Sequence, residues 1–231
     1  MRHYRPARKS AAKKIVEQSV KVLLNILFPP LCVFCGRGLE LTTSGGFRVC
    51  SSCTDSLPFV NVRSESNIAV FAFEGKVREA VHGLKFQSRK SYAETFARFM
   101  AILIENRYAD ITFDCLIPIP MTKKKQKSRG YNQAAEMAKY ISEHTGIPVS
   151  QSVLRKIKET VSQTELTAEE RAENVKGVYE VNNGADVNGK TILLIDDVYT
   201  TGSTINECAN VLKAAGANEV YSATFAATRT E

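Results

Sequence analysis

Two adjacent acids followed by a hydroxyl-rich turn form the segment of this 231-residue chain with the clearest capacity for chemistry. The segment reads Asp196, Asp197, Val198, Tyr199, Thr200, Thr201, Gly202, Ser203 and Thr204. A phosphate placed where this turn enters a helix would meet free backbone N–H groups, the positive end of the helix dipole and several hydroxyl donors. The two carboxylates would repel that phosphate, but they are good acceptors for vicinal sugar hydroxyls. The pattern therefore predicts a site for a ribose 5-phosphate, and a plain Ser/Thr-rich helix cap is the alternative that composition leaves open.

The elements on either side of this segment place it at the edge of a sheet. The apolar run 191–195 favours a buried central strand, so the acids emerge at its carboxyl end, where ligands bind in open α/β folds. Thr204 and Glu207 have the spacing of a capping box, which predicts that the next helix begins at this point. Gly202 allows the backbone to approach a ligand closely.

Four of the six cysteines are spaced as metal ligands. Cys32, Cys35, Cys50 and Cys53 form two C-x-x-C pairs, which can hold a zinc ion through four thiolates about 2.3 Å away. A site whose four positions are all filled by protein is structural and not catalytic. Two disulfides are the alternative, and they require an oxidising compartment. The apolar side chains near the cysteines are predicted to form a small patch around the metal; they are Phe34, Leu39, Leu41 and Phe47.

From residue 67 onward the pattern alternates between strands and helices, which predicts an α/β fold with a mainly parallel sheet. Strands are predicted at 68–73, 113–119, 149–155, 177–181, 190–195 and 219–226, and helices at 76–86, 92–105, 132–143 and 205–215. The stretch 120–129 is predicted to be a basic loop, and 156–174 shows no clear period. The predicted organisation is a basic arm and amphipathic helix in 1–30, a zinc ribbon in 31–60 and the α/β domain in 67–231.

The charge balance favours anionic partners. The formal net charge is +7, and basic side chains concentrate in 1–21 and 123–129, which suits phosphorylated metabolites or nucleic acid. Two solvated basic stretches are the alternative interpretation. The helical pattern at 15–28 is interrupted by charged residues, unlike a secretory signal. We therefore expect a cytoplasmic protein whose amino-terminal helix can contact a membrane surface.

Residues 193–204 resemble the phosphoribosyl pyrophosphate signature of type I phosphoribosyltransferases. Other motifs stand in the order seen in ComF-like competence proteins: the four cysteines, Leu84-Lys85-Phe86, Ile117-Pro118-Ile119-Pro120, Arg129-Gly130-Tyr131-Asn132-Gln133, and Gln163 with Arg171 and Asn174. The resemblance implies a type I phosphoribosyltransferase fold with an amino-terminal zinc ribbon, which binds phosphoribosyl pyrophosphate together with Mg²⁺. It also implies that Asp196 and Asp197 hold the ribose 2- and 3-hydroxyls, while the turn from Tyr199 to Thr204 holds the 5-phosphate.

The same resemblance gives roles to two other segments. The stretch 120–129 occupies the position of the pyrophosphate loop, which makes Lys123 and Arg129 candidates for neutralising the diphosphate. The stretch 155–174 occupies the position of a mobile hood that closes over the substrate and excludes water. Lys85 is a further candidate for anion contact.

Two functions follow from the resemblance. The first is a pentosyl transferase in which no side chain acts as nucleophile; glutamine-dependent activity is not expected, because the chain does not begin with cysteine. The second is a protein of natural transformation that binds single-stranded DNA, works with other DNA-uptake proteins, and uses the sugar-phosphate pocket to sense or salvage nucleotides. Aromatic side chains near the basic stretches could stack on bases; they are Tyr4, Phe86 and Tyr131.

Overall fold

The computed structural model describes residues 29–39, 47–60, 64–86, 89–160 and 168–229. The predicted basic arm, the amphipathic helix with its membrane contact, Tyr4, Leu41 and Gln163 lie outside these ranges, and the side chains of Phe86 and Arg171 are not described either. None of the helices in the described ranges combines the length and the apolar character of a membrane span.

The described elements alternate between helix and strand as the sequence predicts. In chain order they are α1 (Ser51–Thr54), β1 (Asn67–Ala72), α2 (Gly75–Phe86), α3 (Tyr92–Arg107), β2 (Cys115–Pro118), α4 (Lys123–Arg129), α5 (Gln133–Thr145), β3 (Leu154–Lys156), α6 (Ala168–Val175), β4 (Tyr179–Val181), β5 (Thr191–Tyr199), α7 (Ser203–Ala214) and β6 (Glu219–Ala227). Four strands form one sheet in the order β1-β6-β5-β2, and every neighbouring pair is parallel. β3 and β4 pair antiparallel in a separate sheet. The predicted mainly parallel α/β architecture is confirmed.

Alternate residues of β5 face opposite layers of the molecule, as the two-residue period of a strand requires. Leu193 and Ile195 pack in a cluster with side chains of α2, α3 and α5. Ile192 and Leu194 pack in a second cluster with side chains of α7, β3 and β4. All four are fully buried, because the sheet is covered on both faces. The strand that carries the two acids is therefore a rigid central element.

The four-cysteine segment packs into the first of these clusters. The Phe34 ring centroid lies 5.9 Å from that of Phe71 and 6.4 Å from that of Phe225. Phe47 packs edge-on against Phe99 at 4.9 Å. Phe34 and Leu39 lie in one cluster with Cys32 and Cys53, and this cluster is continuous with the core of the α/β body.

Two segments of the α/β body contain helices that the sequence did not predict. Residues 123–129, predicted to be a loop, form the helix α4, which begins after Thr122 and ends at Gly130 in the left-handed conformation with φ 85°. None of its residues is buried, so the sequence carries no apolar period there. The second segment is 156–174, where the sequence shows no clear apolar period; it contains most of the short helix α6.

Candidate functional site

The two acids lie on β5 at a point where one side of the strand is no longer paired with its neighbour. The parallel pairing of β2 with β5 ends at Pro118 and Ile195, whereas β6 continues beside β5 as far as Tyr199. β5 is thus longer than predicted, and Asp196 and Asp197 belong to the strand and do not follow it. Because β2 ends before β5 does, the acids lie at the carboxyl edge of the sheet, where ligands bind in this class of fold.

The adjacent acids point to opposite faces of the sheet. Asp197 follows the alternation of Leu193 and Ile195, lies on the α2 side and is 3% exposed. Asp196 lies on the α7 side and is half-buried. Its Oδ1 accepts the backbone N–H of Asp197 at 2.8 Å. The two carboxylates therefore have different surroundings, although they are neighbours in sequence.

Charged groups surround both acids. Lys85 Nζ, near the end of α2, lies 2.8 Å from Asp197 Oδ1. Burial and the charge of Asp197 raise the pKa of Asp196 to about 7, against the opposing effects of Lys85, of the Asp197 N–H and of Lys156. Burial, together with the charge of Lys125, lowers the pKa of Lys156. The site thus holds carboxylates beside cations.

The hydroxyl-rich turn connects β5 to α7 with geometry suited to an anion. Gly202 is the N-cap of α7 in the left-handed conformation with φ 79° and offers no side-chain cap, while the Ser203 N–H makes a long contact of 3.5 Å with Thr201 Oγ1. The first-turn N–H groups therefore face the turn, beside the hydroxyls of Thr201 and Ser203, whose oxygens are 2.7 Å apart. Thr228, which directly follows β6, binds the start of the turn: its N–H donates to Tyr199 O and its hydroxyl donates to Thr200 O.

The predicted capping box is wrong. α7 begins at Ser203 after Gly202, so Thr204 lies inside the first turn and not at the cap. Glu207 accepts the backbone N–H of Gly177 at 2.7 Å, which ties α7 to the segment after α6. Left-handed geometry at Gly202 places the cap two residues earlier than the Ser/Thr spacing indicates.

The candidate pyrophosphate residues lie in different surroundings. Lys123 lines a cavity of about 930 Å³ between α4 and the two-stranded sheet of β3 and β4, together with Arg155, Lys156 and Lys158. Arg129 Nη1 instead donates to Gln133 Oε1 at 2.7 Å. The cavity joins the segment after β2 to the candidate hood, so it brings together the two segments that the resemblance assigned to the diphosphate and to closure.

Several other candidates have ordinary structural roles. Tyr131 is 8% exposed and donates its hydroxyl to the carbonyl of Leu84, which leaves its ring poorly placed for stacking on a base. Cys115 and Cys208 are buried thiols in the second cluster. The sequence placed Lys156 only within the candidate hood, 155–174, and did not indicate Thr228, which stands in no motif that could have identified it.

The four cysteines come together as metal ligands. Their sulfur atoms all lie within 4.8 Å of one another, and Cys35 Sγ is 3.6 Å from Cys50 Sγ. A tetrahedral zinc site places its sulfurs about 3.8 Å apart, whereas a disulfide bond is about 2.0 Å long. Burial opposes ionisation of Cys32, but the N–H groups of Cys50, Phe34 and Cys35 outweigh it and lower its pKa to about 7. The residues therefore fit a closed metal site such as one for zinc.

Comparisons with known proteins agree with this arrangement. The phosphoribosyl transferase domain model matches residues 88–231. Competence protein F of Haemophilus influenzae is 26% identical over 195 residues, 83% of this chain and 82% of that protein. Competence protein ComFC of Bacillus subtilis is 28% identical over 189 residues, 79% of this chain and 71% of that protein. DNA utilization protein YhgH of Salmonella typhi is 29% identical over 143 residues, 61% of this chain and 62% of that protein.

These relatives confirm the resemblance to ComF-like competence proteins that the motifs indicated. The family match, the parallel sheet and the four-cysteine cluster confirm the type I phosphoribosyltransferase fold with its amino-terminal cysteine segment. The matched residues cover more than half of the chain and include β5, both acids and α7. The chain therefore belongs to the phosphoribosyl transferase domain family.

Proposed function

We propose that this protein binds phosphoribosyl pyrophosphate together with Mg²⁺ at the carboxyl edge of β5. The observation that carries the proposal is the position of the acid pair directly before a hydroxyl-rich turn and a helix start with glycine at the N-cap. The 5-phosphate is placed at the first turn of α7, where N–H groups and the hydroxyls of Thr201 and Ser203 donate to its oxygens. The ribose hydroxyls are placed beside Asp196 and Asp197, which accept their hydrogen bonds. A single ligand would thereby offer phosphate oxygens to the hydrogen-bond donors of the turn and sugar hydroxyls to the two carboxylate acceptors.

The surrounding cations suit the other end of this ligand. The lysine and arginine side chains of the cavity beside α4 lie on the β2 side of the site, where they can neutralise a diphosphate on the anomeric carbon. A Mg²⁺ ion bound together with the ligand would supply further charge neutralisation for the departure of pyrophosphate. The protein's part in a pentosyl transfer is then to position the ribose, stabilise charge and exclude water.

Titration calorimetry with phosphoribosyl pyrophosphate and Mg²⁺ tests the proposal. The wild-type protein is expected to bind, and Asp196→Ala combined with Asp197→Ala is expected to lose most of the affinity. A matched control is Glu65→Ala with Asp110→Ala, which removes two exposed acids elsewhere and should leave affinity unchanged. Equal affinity in the acid-pair variant and the wild type would overturn the site assignment.

The four-cysteine cluster is proposed to hold a structural zinc ion. All four sulfurs converge, which leaves no position for water or substrate on the metal. Because the segment shares its core with the sheet through Phe34, metal binding stabilises the α/β body as well as the ribbon. Metal analysis of the purified protein should give about one zinc per chain, and a zinc-free protein of unchanged stability would contradict this assignment.

Binding of single-stranded DNA is the second candidate function, favoured by the exposed basic helix α4. The helix displays Lys123, Lys124, Lys125 and Lys127 on its surface, and all four are exposed. A solvated basic helix can contact a phosphate backbone with little sequence preference. A binding isotherm for an oligonucleotide should show steep salt dependence that weakens when the four lysines are replaced by glutamine. An absence of binding at low salt would exclude this function.

A further inference from the structure

The buried acid of the site is held by a lysine from a distant part of the chain. Lys85 Nζ lies 2.8 Å from Asp197 Oδ1, and the two side chains are 24% and 4% exposed. An ion pair this sheltered is weakly screened by salt. Loss of one member leaves the other buried and uncompensated, which costs far more than loss of a surface pair.

Lys85 stands on an anchored part of the backbone. Its neighbour Leu84 is fully buried, and the Leu84 carbonyl accepts the hydroxyl of Tyr131. Tyr131 lies between α4 and α5 and is itself buried. The end of α2 is therefore bound to the segment that precedes α5. This contact holds the backbone that carries Lys85 in place.

Asp197 has one paired and one unpaired oxygen. Oδ1 contacts Lys85, whereas Oδ2 is buried and has no hydrogen-bond partner among the described residues. An unpaired buried acceptor is costly, and a ligand hydroxyl at this oxygen would remove the cost. Asp196 differs, because its Oδ1 already accepts the Asp197 N–H.

We infer that Lys85 is a positioning residue for the ribose end of the site: by binding Oδ1, it orients Asp197 so that Oδ2 accepts a sugar hydroxyl. Its charge also offsets the repulsion between the two adjacent carboxylates. The inference rests on the proposed function and deepens it. It also changes the role expected for Lys85 from the sequence, because the ammonium contacts a protein carboxylate and not the phosphates of the ligand.

The test measures ligand affinity and stability in four variants of the full chain. Lys85→Met is expected to weaken binding of phosphoribosyl pyrophosphate with Mg²⁺ by about tenfold or more. Lys85→Arg should recover most of that loss, because it restores the cation. Lys90→Met is the matched control: Lys90 also pairs at 2.8 Å, with Glu136, but its side chain is 55% exposed, and its removal should change affinity less than about twofold. The double variant Lys85→Met with Asp197→Asn should regain the thermal stability that Lys85→Met loses but not the affinity.

The outcomes separate this inference from the proposed function. If the wild type does not bind the ligand, the proposed function fails. If the wild type binds and Lys85→Met binds equally well, the proposed function stands and the positioning role is refuted. Lys85→Arg binding as weakly as Lys85→Met would also refute it, because the loss would then reflect packing and not charge. Failure of the double variant to regain stability would show that the two side chains are not energetically paired.

Discussion

The turn before α7 allows a sharp test of the proposed phosphate site through Gly202. Gly202 has φ 79°, and a Cβ at this position would lie 2.1 Å from the hydroxyl oxygen and 2.4 Å from Cζ of Tyr199. Gly202→Ala therefore adds two costs. A residue with a Cβ in the left-handed region costs about 1–2 kcal/mol, and displacement of the Tyr199 ring from a packed position adds about 1–3 kcal/mol.

Gly184→Ala is a matched control for the backbone cost alone. Gly184 has φ 83°, close to that of Gly202, but a Cβ there meets nothing within 4 Å among the described residues. The two variants should both lose stability, and Gly202→Ala should melt lower than Gly184→Ala by about 2–12 °C, since 1 kcal/mol shifts the midpoint of a chain this size by about 2–4 °C. Thermal unfolding followed by circular dichroism measures this difference.

Two further measurements test the steric clash with Tyr199 and the proposed position of the phosphate. In a Tyr199→Ala background, Gly202→Ala should cost no more than Gly184→Ala, because the ring that obstructs the methyl group is gone. Affinity for phosphoribosyl pyrophosphate should fall in Gly202→Ala and stay unchanged in Gly184→Ala, since only the first methyl group lies at the proposed phosphate position. Equal melting temperatures and equal affinities in the two alanine variants would refute both the steric argument and the location of the phosphate.

Three other predictions concern the metal segment and the acids. A strong chelator should unfold the four-cysteine segment and lower the melting temperature of the whole chain, because the segment shares its core with the sheet; an unchanged circular dichroism spectrum and melting curve would contradict this. Phe34→Ala should lower the free energy of unfolding by about 3–5 kcal/mol in chemical denaturation, and a loss below 1 kcal/mol would show that the ring contacts Phe71 and Phe225 without stabilising the core. The pKa of Asp196 is raised to about 7 from an unfolded value near 4, so the native state binds more protons across that window and the free energy of unfolding should fall as pH rises from about 4 to 7. Asp196→Asn should flatten this fall in pH-dependent denaturation, and an unchanged slope would remove Asp196 as its source.

The sequence predicted the elements that have a buried face. β5 is a run of apolar residues, and α5 and α7 each place apolar side chains on one side, so burial leaves a period in the sequence. α4 has no buried residue, and its run of lysines therefore resembled a loop. Its local signals were present, since Thr122 caps the first turn and Gly130 ends the helix, but such caps also occur in turns.

The site was predictable only as far as its local segment. The acids, the turn and the cysteine pairs each lie within a few residues of one another, so spacing alone indicates their chemistry. The pairing of Lys85 with Asp197 joins α2 to β5, and the packing of Phe34 on Phe225 joins the cysteine segment to β6. Such contacts depend on strand order and helix placement, which a single sequence does not specify.

The alternation of side-chain direction along β5 explains why two adjacent acids need not have the same role. Side chains of neighbouring strand residues point to opposite faces, so a strand that continues through both acids separates their surroundings. Asp196 then meets the α7 layer, with Lys156 among its charged neighbours, while Asp197 meets Lys85 in the opposite layer. A ligand bound as proposed at the carboxyl edge of β5 would contact one acid from each face, and each acid has a lysine of its own layer among its charged neighbours. The pair would therefore couple such a ligand to both layers of the fold, which a single carboxylate on either face would not do.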